Sequence, residues 1–384
     1  MNGAKDTAAA NDHYAITFLR LSQQADRNVL NDILRSDPCL VRFDRIEVQL
    51  HELIRTNHPS RKFSEAELRE ETLRHLDGSP LDEYGVWVHY PWSRRLVHLL
   101  DEDEFIRVRT DRNRNKITRA EQQELSTKKV GVIGLSVGRS VSLTMALERS
   151  FGEIRLADHD TLELSNLNRI RNGVHQMGVN KAVCVAREIL EIDPFLKVTC
   201  FTEGITPGNI DRFLTDGGKL DLLVEECDSI NIKILARQKA RTHGIPVVMD
   251  TSDRGMIDVE RFDLEPDRSI FHGALDHMGA AILDTPMDDR ARMSISKAIV
   301  GIDHLSERFK ASLPLIGKEL LTWPQLATGV TLGGAAAADV SRRILLDEDV
   351  ASGRSFIDLD RLIPNSPPLH TTTEDESRSG RTHG

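Results

Sequence analysis

Residues 128–160, KKVGVIGLSVGRSVSLTMALERSFGEIRLADHD, decide the predicted fold of this chain. They contain an apolar run, a turn bounded by Gly134 and Gly138, a helical pattern, and a second apolar run that ends at Asp158. A helix that begins after a glycine turn presents free N–H groups and a positive dipole end to a phosphate. An acid at the end of the second strand, here 24 residues after Gly134, can hold ribose hydroxyls. This stretch alone favours a nucleotide site and a plain strand–helix–strand crossover about equally.

The same alternation of apolar strands and helical patterns continues from residue 129 to about residue 250. It predicts an α/β protein with one doubly wound, Rossmann-like and mostly parallel sheet. Ligands of such sheets bind outside the carboxyl ends of the strands. Gly134, Asp158, Asp160 and Asp228 are all predicted to lie at those ends.

Three domains or regions are predicted. Residues 1–110 form a smaller, mainly helical N-terminal region, in which Ser64 and Glu67 make a capping-box pattern. Residues 111–350 form the nucleotide-binding domain, and residues 351–384 form a disordered tail. Within the large domain we expect short strands at 259–264 and 269–272. We also expect a helix at 323–346, whose small residues allow close packing in a core or a dimer.

Composition excludes several classes of protein. The 384 residues carry a formal net charge of −10, which argues against nucleic acid or an anionic membrane as a partner. No apolar run is long enough to span a bilayer, and no signal peptide is recognisable. The four cysteines form no C-x-x-C pair, which argues against a disulfide framework or a structural zinc and predicts a cytoplasmic protein.

Five motifs occur in a fixed order along the chain: Gly134-x-x-x-Gly138, LADHD at 156–160, SNLNR at 165–169, Gly178-x-x-Lys181 and ECD at 226–228. Together they resemble the ThiF/MoeB adenylyltransferases, relatives of the ubiquitin-activating enzymes. The resemblance covers about residues 112–265 and, more weakly, 323–346. It implies an enzyme that binds ATP and Mg²⁺ and joins AMP to a carboxylate with release of pyrophosphate. The carboxylate is often the C-terminus of a ubiquitin-like protein, but a peptide or a small acid also remains open.

The resemblance implies a nucleotide-binding set. Gly134 and Gly138 would bring the backbone close to the phosphates, and Asp158 would hold the ribose, with Asp160 in the same loop. Asn166 would contact phosphate oxygens.

The resemblance also implies a catalytic set. Arg169 would contact phosphate oxygens, and Lys181 would neutralise charge on the α-phosphate as the carboxylate attacks it. Asp228 would hold Mg²⁺. Arg114 matches the arginine that the family supplies from the partner subunit, so a homodimer is expected.

The sequence departs from the family at the turn, where Ser136, Val137 and Arg139 replace glycines. The paired cysteines of zinc-bearing members are absent, and no cysteine stands where thioester-forming members have one. We therefore expect adenylation without a protein nucleophile.

Other functions remain open. A tRNA-modifying dehydratase of the same superfamily would also activate a carboxylate, and a non-catalytic subunit would only bind a partner. An NAD-dependent oxidoreductase would use Asp158 but would not explain Arg169, Lys181 and Asp228 together. Taken singly, Arg169 fits a surface salt bridge, Lys181 fits an ordinary first-turn lysine, and Asp228 fits a helix cap.

Overall fold

The computed structural model describes residues 13–278 and 289–363. The strands in this part of the chain are β1 (Thr17–Leu19), β2 (Val41–Asp44), β3 (Val86–Tyr90), β4 (Arg95–Leu99), β5 (Lys129–Ile133), β6 (Glu153–Ala157), β7 (Lys197–Phe201), β8 (Leu222–Glu225), β9 (Val247–Thr251), β10 (Met256–Glu260) and β11 (Gly353–Phe356). The helices are α1 (Gln24–Ser36), α2 (Ile46–Asn57), α3 (Glu65–Leu76), α4 (Glu102–Arg109), α5 (Arg119–Leu125), α6 (Gly138–Glu148), α7 (Lys181–Ile192), α8 (Ile210–Thr215), α9 (Ile230–His243), α10 (Asp289–Val300), α11 (Glu307–Ser312), α12 (Ala327–Leu345) and α13 (Leu359–Leu362).

The larger sheet has the strand order β11–β10–β9–β8–β5–β6–β7 within the described residues. The strands from β9 to β7 run parallel, and β10 and β11 add antiparallel pairs at one edge. The chain builds outward from β5 through β6 to β7 and then returns to place β8 on the other side of β5. The strand order thus reverses beside β5, which is where ligands bind in doubly wound sheets. The predicted α/β fold class is confirmed.

Helices cover both faces of this sheet. Met145 of α6, Ile189 of α7 and Ala337 of α12 belong to one buried apolar cluster. Phe213 of α8 and Ile234 of α9 belong to a second cluster on the opposite face. The parallel strands β5, β6, β8 and β9 are therefore buried on both sides, which explains the continuous apolar runs that predicted them, whereas the edge strand β7 is only partly buried.

Helix α12 packs against the sheet through its glycines. A Cβ atom on Gly333 would lie 1.9 Å from Asp250 Oδ2, and one on Gly334 would lie 2.2 Å from Ser140 Oγ. Only glycine allows this approach of α12 to β9 and α6. The small-residue face is thus occupied within the subunit, and it supplies no argument for a dimer.

The N-terminal region contains more sheet than its helical patterns predict. Helices α1 to α4 hold most of its regular structure, and the capping box of Ser64 and Glu67 is present. A four-stranded sheet of order β1–β3–β4–β2 accompanies them, although the sequence predicted a mainly helical region. The region docks on the end of α7, where Tyr90 Oη donates to the Leu190 carbonyl (3.2 Å) and Trp92 Nε1 donates to Glu191 Oε1 (2.6 Å).

Two predicted strands are wrong. β10 covers Met256–Glu260 rather than 259–264, and residues 269–272 enter a 3-10 turn, Ile270–Gly273, instead of a strand. Phe271 and His272 have left-handed backbones (φ 51° and 57°), which no strand accommodates.

Ordered structure also continues past residue 350, where the sequence placed the start of a disordered tail. β11 pairs antiparallel with β10 there, and the rest of the predicted tail, residues 364–384, lies outside the described residues. Among the described helices, none combines the length and the apolar character needed to cross a membrane.

Candidate active site

The glycine turn lies at the carboxyl ends of β5, β6 and β8. Gly134 has a φ of +86°, and its N–H donates to the Ala157 carbonyl (2.9 Å). A Cβ atom there would lie 2.6 Å from the carbonyl oxygen of Glu226, and one on Gly138 would lie 2.7 Å from Val132 Cγ1. The first glycine therefore lets the turn touch the end of β8, and the second lets α6 start directly on β5.

Asp158 fastens this turn to the end of β6. It is 8% exposed, and its Oδ2 accepts from the Leu135 N–H (2.7 Å) while Oδ1 accepts from the Asp160 N–H (2.9 Å). Burial raises the pKa of the Asp158 carboxyl, and the nearby Lys181 charge opposes that shift. Each carboxylate oxygen can accept a second hydrogen bond, so the anchoring role leaves room for a ribose hydroxyl.

Lys181 is the first residue of α7 and points back to the same loop. Its side chain is 10% exposed, and Nζ donates to Asp160 Oδ2 (2.8 Å). Burial alone would raise the pKa of Asp160, but the hydrogen bond and charge of Lys181 outweigh it and keep that pKa below its usual range. Asn180 caps α7 by accepting from the Ala182 N–H (2.9 Å), which fixes where Lys181 emerges.

Arg169 lies between the glycine turn and Asp228. Its Nε donates to Ser136 Oγ (3.3 Å), so Ser136 contacts the cation from inside the turn. Burial lowers the pKa of Arg169, and the charge of the exposed Asp228 opposes that shift. Asn166 is buried and accepts from the Glu163 N–H through Oδ1 (3.1 Å), capping the 3-10 helix Leu164–Asn168. This contact gives Asn166 a structural role, and its proposed contact with phosphate oxygens stays a prediction.

Arg114 lies apart from these residues within one subunit. Its guanidinium contacts Asp111 Oδ1 (3.2 Å) in a cleft of about 580 Å³ that Arg149 and Gly152 also line. Gly152 directly precedes β6, so the cleft lies at the amino ends of the strands, opposite the glycine turn. Any contact of Arg114 with the site requires a second subunit.

Among the described residues, one group of three could hold a metal ion by the closeness of its ligand atoms. It consists of Asp158, His159 and Asp160, whose ligand atoms lie within 4.8 Å of one another. The contacts of Asp158 with the turn and of Asp160 with Lys181 already occupy two of these side chains. The exposed Asp228 lies outside this group.

The model of the ThiF family matches residues 110–310, more than half of the chain. The chain belongs to the ThiF family. The matched segment contains every motif on which the resemblance rests, so the predicted family membership is confirmed.

Curated relatives of this ThiF-family chain include three of different kinds. An uncharacterized Mycobacterium tuberculosis protein, MT1398, is 42% identical over 92% of this chain and 47% of its own length. The Saccharomyces cerevisiae tRNA threonylcarbamoyladenosine dehydratase 2 is 29% identical over 39% of this chain and 34% of its own. Ubiquitin-like modifier-activating enzyme 5 of Drosophila willistoni is 25% identical over 40% of this chain and 39% of its own. The chain spans less than half the length of each of these relatives.

The ThiF domain also contains a cavity that the sequence did not predict. It has a volume of about 180 Å³ and lies beyond Asp228, between the ends of β8 and β9 and residues 296–325. Phe309 and Trp323 form part of its wall, with their rings stacked at 5.7 Å between centroids and 8° between planes. These wall residues follow no motif, because they meet only through tertiary packing.

Two carboxyl groups lie together at the floor of this cavity. The Asp250 N–H donates to Glu226 Oε1 (2.7 Å), and neither carboxylate oxygen of Asp250 finds a partner in the described part of the chain. Burial raises the pKa of Asp250 to about 7, and burial together with Asp250 raises the pKa of Glu226 well above its usual range. The pair therefore retains a proton near neutral pH.

Cys227 lies beside this pair and remains a thiol. Burial, reinforced by the charge of Glu225, raises the pKa of Cys227 well above its usual range. A thiolate is the nucleophilic form of cysteine, so this environment disfavours covalent catalysis.

Proposed function

We propose that the chain is an ATP-dependent adenylyltransferase that joins AMP to a substrate carboxylate and releases pyrophosphate. The observation that carries the proposal is the position of Arg169, which bridges from Ser136 in the glycine turn toward Asp228 at the end of β8. Lys181 supplies a second cation from the start of α7. A nucleotide whose ribose meets Asp158 would extend its phosphates over the turn, between these two cations.

The proposed chemistry uses this charge arrangement. A carboxylate oxygen of the substrate attacks the α-phosphorus, a new P–O bond forms, and the bond to the β-phosphate bridging oxygen breaks. Pyrophosphate leaves with the electron pair of that bond. Both reactants are anions, so fixed cations at Lys181 and Arg169 stabilise the charge that develops in the transition state. No protein nucleophile is required, in agreement with the raised pKa of Cys227.

Asp228 suits the predicted Mg²⁺. Mg²⁺ is usually bound through one or two carboxylates, with water and substrate phosphates completing its shell. Asp228 is exposed, offers carboxylate oxygens, which are hard ligands, and lies beside Arg169. It would therefore hold Mg²⁺ together with the substrate phosphates. When bound, the ion would neutralise phosphate charge.

Isotope exchange between pyrophosphate and ATP tests the proposal. We expect exchange that depends on a carboxylate substrate and on Mg²⁺. Calorimetric titration should show ATP with Mg²⁺ binding more tightly than NAD, because Arg169 and Lys181 face a polyphosphate. Release of ADP and phosphate, or tighter binding of NAD, would exclude the adenylyltransferase proposal. ATP binding without exchange would instead support the non-catalytic subunit.

A tRNA-modifying dehydratase is the second candidate, favoured by the yeast relative named tRNA threonylcarbamoyladenosine dehydratase 2. The net charge of −10 argues against tRNA as the substrate. The two candidates separate when ATP consumption is measured with and without tRNA that carries threonylcarbamoyladenosine. Consumption that requires this tRNA would select the dehydratase.

A homodimer in the cytoplasm completes the proposal, with Arg114 of one subunit acting in the site of the other. The support is that, in its own subunit, Arg114 lies at the amino ends of the strands, at the opposite end of the sheet from the glycine turn. The ubiquitin-like modifier-activating relative makes a ubiquitin-like protein one possible carboxylate substrate, beside a peptide or a small acid.

A further inference from the structure

The cavity beyond Asp228 is continuous with the proposed phosphate site. Val137 of the glycine turn and Asp228 both line it. Its volume of about 180 Å³ is below the roughly 300–1,000 Å³ of pockets that enclose whole small ligands. It therefore has room for one part of a substrate, next to the place where the carboxylate would react.

The wall of the cavity is apolar and flat. Ile230, Leu305, Phe309 and Trp323 line it, and the stacked Phe309 and Trp323 rings form one side. Phe309 and Trp323 are only half-buried. Side chains of this kind gain free energy when an apolar group covers them, at roughly 25 cal/mol per Å².

Hydrogen bonds fix this wall to the sheet. The Ser306 N–H and Oγ donate to the two carboxylate oxygens of Asp253 (2.7 Å each), and Arg254 Nη1 donates to the His304 carbonyl (2.9 Å). Asn168 Nδ2 donates to the Gln325 carbonyl (2.9 Å). The last bond joins the wall to the loop that carries Arg169, so the wall is positioned relative to the proposed phosphate site.

Several charged side chains around the cavity already have partners within the protein. Asp253 is bonded to Ser306, and Lys233 Nζ contacts Glu225 Oε2 (3.0 Å). Glu226 Oε1 accepts from the Asp250 N–H (2.7 Å). These contacts engage Asp253, Lys233 and Glu226, so the apolar wall is the main surface left for a substrate group.

We propose that the acyl substrate carries an aromatic or branched apolar group beside its carboxylate, and that this group fills the cavity. The inference rests on the proposed adenylation. A tail that ends in bare glycines would leave the Phe309–Trp323 wall uncovered. The apolar group belongs either to a free acid or to the C-terminal residue of a peptide or protein.

Binding of non-hydrolysable acyl-adenylate mimics tests the inference. Four acyl sulfamoyl adenosines share one nucleoside and differ only in the acyl part: 3-phenylpropionyl, acetyl, glycylphenylalanyl and glycylglycyl. By calorimetry, we expect each phenyl compound to bind at least tenfold more tightly than its small partner, which is about 1.4 kcal/mol. The tighter of the two phenyl compounds identifies a free acid or a peptide end as the source.

Two variants test whether the preference for phenyl compounds arises from the cavity. Trp323→Ala and Phe309→Ala should each reduce the phenyl preference below threefold and leave the affinity for the acetyl compound unchanged. Leu321→Ala is the matched control, because Leu321 is 93% exposed and does not line the cavity. It should keep the full preference.

Three results would overturn the inference. Equal binding of all four compounds would refute the apolar group and leave adenylation intact. A phenyl preference that survives in both cavity variants would place the group elsewhere. Failure of all four compounds and of ATP to bind would remove the proposed adenylation, and this inference with it.

Discussion

The two halves of the candidate site are built in different ways. The proposed nucleotide half is polar and is formed by residues that directly follow strands or begin helices, such as Gly134, Asp158 and Lys181. The proposed acyl half is apolar, and its Phe309–Trp323 wall comes from a later segment that folds over the ends of β8 and β9. Backbone geometry fixes the first half, whereas tertiary packing fixes the second. The same reaction could therefore be kept while the wall changes with the substrate.

The largest expected effect is in the nucleotide half. Lys181→Ala should reduce pyrophosphate exchange by about 10²–10³-fold, about 2.7–4 kcal/mol, because a positioned cation at the phosphates is lost. The relative affinities for the phenyl and acetyl mimics should not change. This result would show that the nucleotide half and the acyl half act independently. Lys197→Ala is the control, since Lys197 is a mostly exposed lysine on β7 that contacts Glu153. Exchange within threefold of wild type in a folded Lys181→Ala protein would contradict the assignment.

The next effect concerns a second subunit. Arg114→Ala and Asp228→Ala should each reduce exchange by about 10²-fold, the lower end of the range for losing one positioned group. Mixed dimers should recover part of the activity, because one site would take its arginine from the Asp228→Ala chain and its aspartate from the Arg114→Ala chain. Exchange is measured after subunits reassort, with mixed dimers verified by two affinity tags. If verified mixed dimers stay inactive, Arg114 does not act across the interface.

A pair of glycines isolates the close contact that joins the halves. Gly134 and Gly178 have nearly the same φ, +86° and +85°. A Cβ atom on Gly134 would lie 2.6 Å from the Glu226 backbone. A Cβ atom on Gly178 would meet no described atom within 4 Å. Gly178→Ala should lower the free energy of unfolding by about 1–2 kcal/mol from backbone strain alone. Gly134→Ala should lower it by at least about 1 kcal/mol more. Urea denaturation measures both, and equal losses would show that the contact with Glu226 yields easily.

The smallest effect is a pH dependence in the acyl half. The folded state raises the pKa of Asp250 to about 7, so protonation favours folding at low pH, and this stabilisation is lost as pH rises from about 4 through about 7. Asp250→Asn removes that loss and also removes the like charge beside Glu226. Between pH 5 and pH 8 the free energy of unfolding of the variant should therefore rise relative to that of wild type, by at most about 2–3 kcal/mol, as measured by urea denaturation.

Asp101→Asn is the control for this pH dependence. Burial alone would raise the pKa of Asp101, but hydrogen bonds from Arg20 and the Glu102 N–H outweigh it and lower that pKa, so the stability that Asp101 contributes is lost only as pH falls below its usual range. Its stability relative to wild type should be constant from pH 5 to pH 8. A constant difference for Asp250→Asn as well would show that the carboxyl pair does not hold a proton in this range.

The contrast between the halves also explains what the sequence could predict. The strands around Gly134 and Asp158 were predictable, because strands buried on both faces read as continuous apolar runs ending at turn residues. The four-stranded N-terminal sheet was not, since its strands are short and β2 is exposed along its length. The strand predicted at 269–272 failed because Phe271 packs under the Arg237 guanidinium, 4.2 Å from the ring centroid, in a left-handed backbone that no local pattern encodes.

Within the site, the sequence located side chains but not their neighbours. Lys181 was placed by its motif, whereas its contact with Asp160 emerged only from the structure. The Glu226–Asp250 pair was not predicted, because the two acids lie at the ends of different strands and only Glu226 belongs to a motif. The cavity wall was missed for the same reason, and the sequence did not predict α10 and α11, which lie within residues 274–320.

The fit of α12 against β9 and α6 sets an order of assembly during synthesis. The glycine turn, α6 and β9 leave the ribosome well before Gly333 and Gly334, which must close over Asp250 and Ser140. Until then, the α6 surface and the carboxyl pair remain open to water, and the sheet lacks one covering layer. Contacts between such distant segments form slowly, since the chain must lose much freedom before they are made. The nascent protein thus acquires its glycine turn early, and the site is closed from water only when α12 docks.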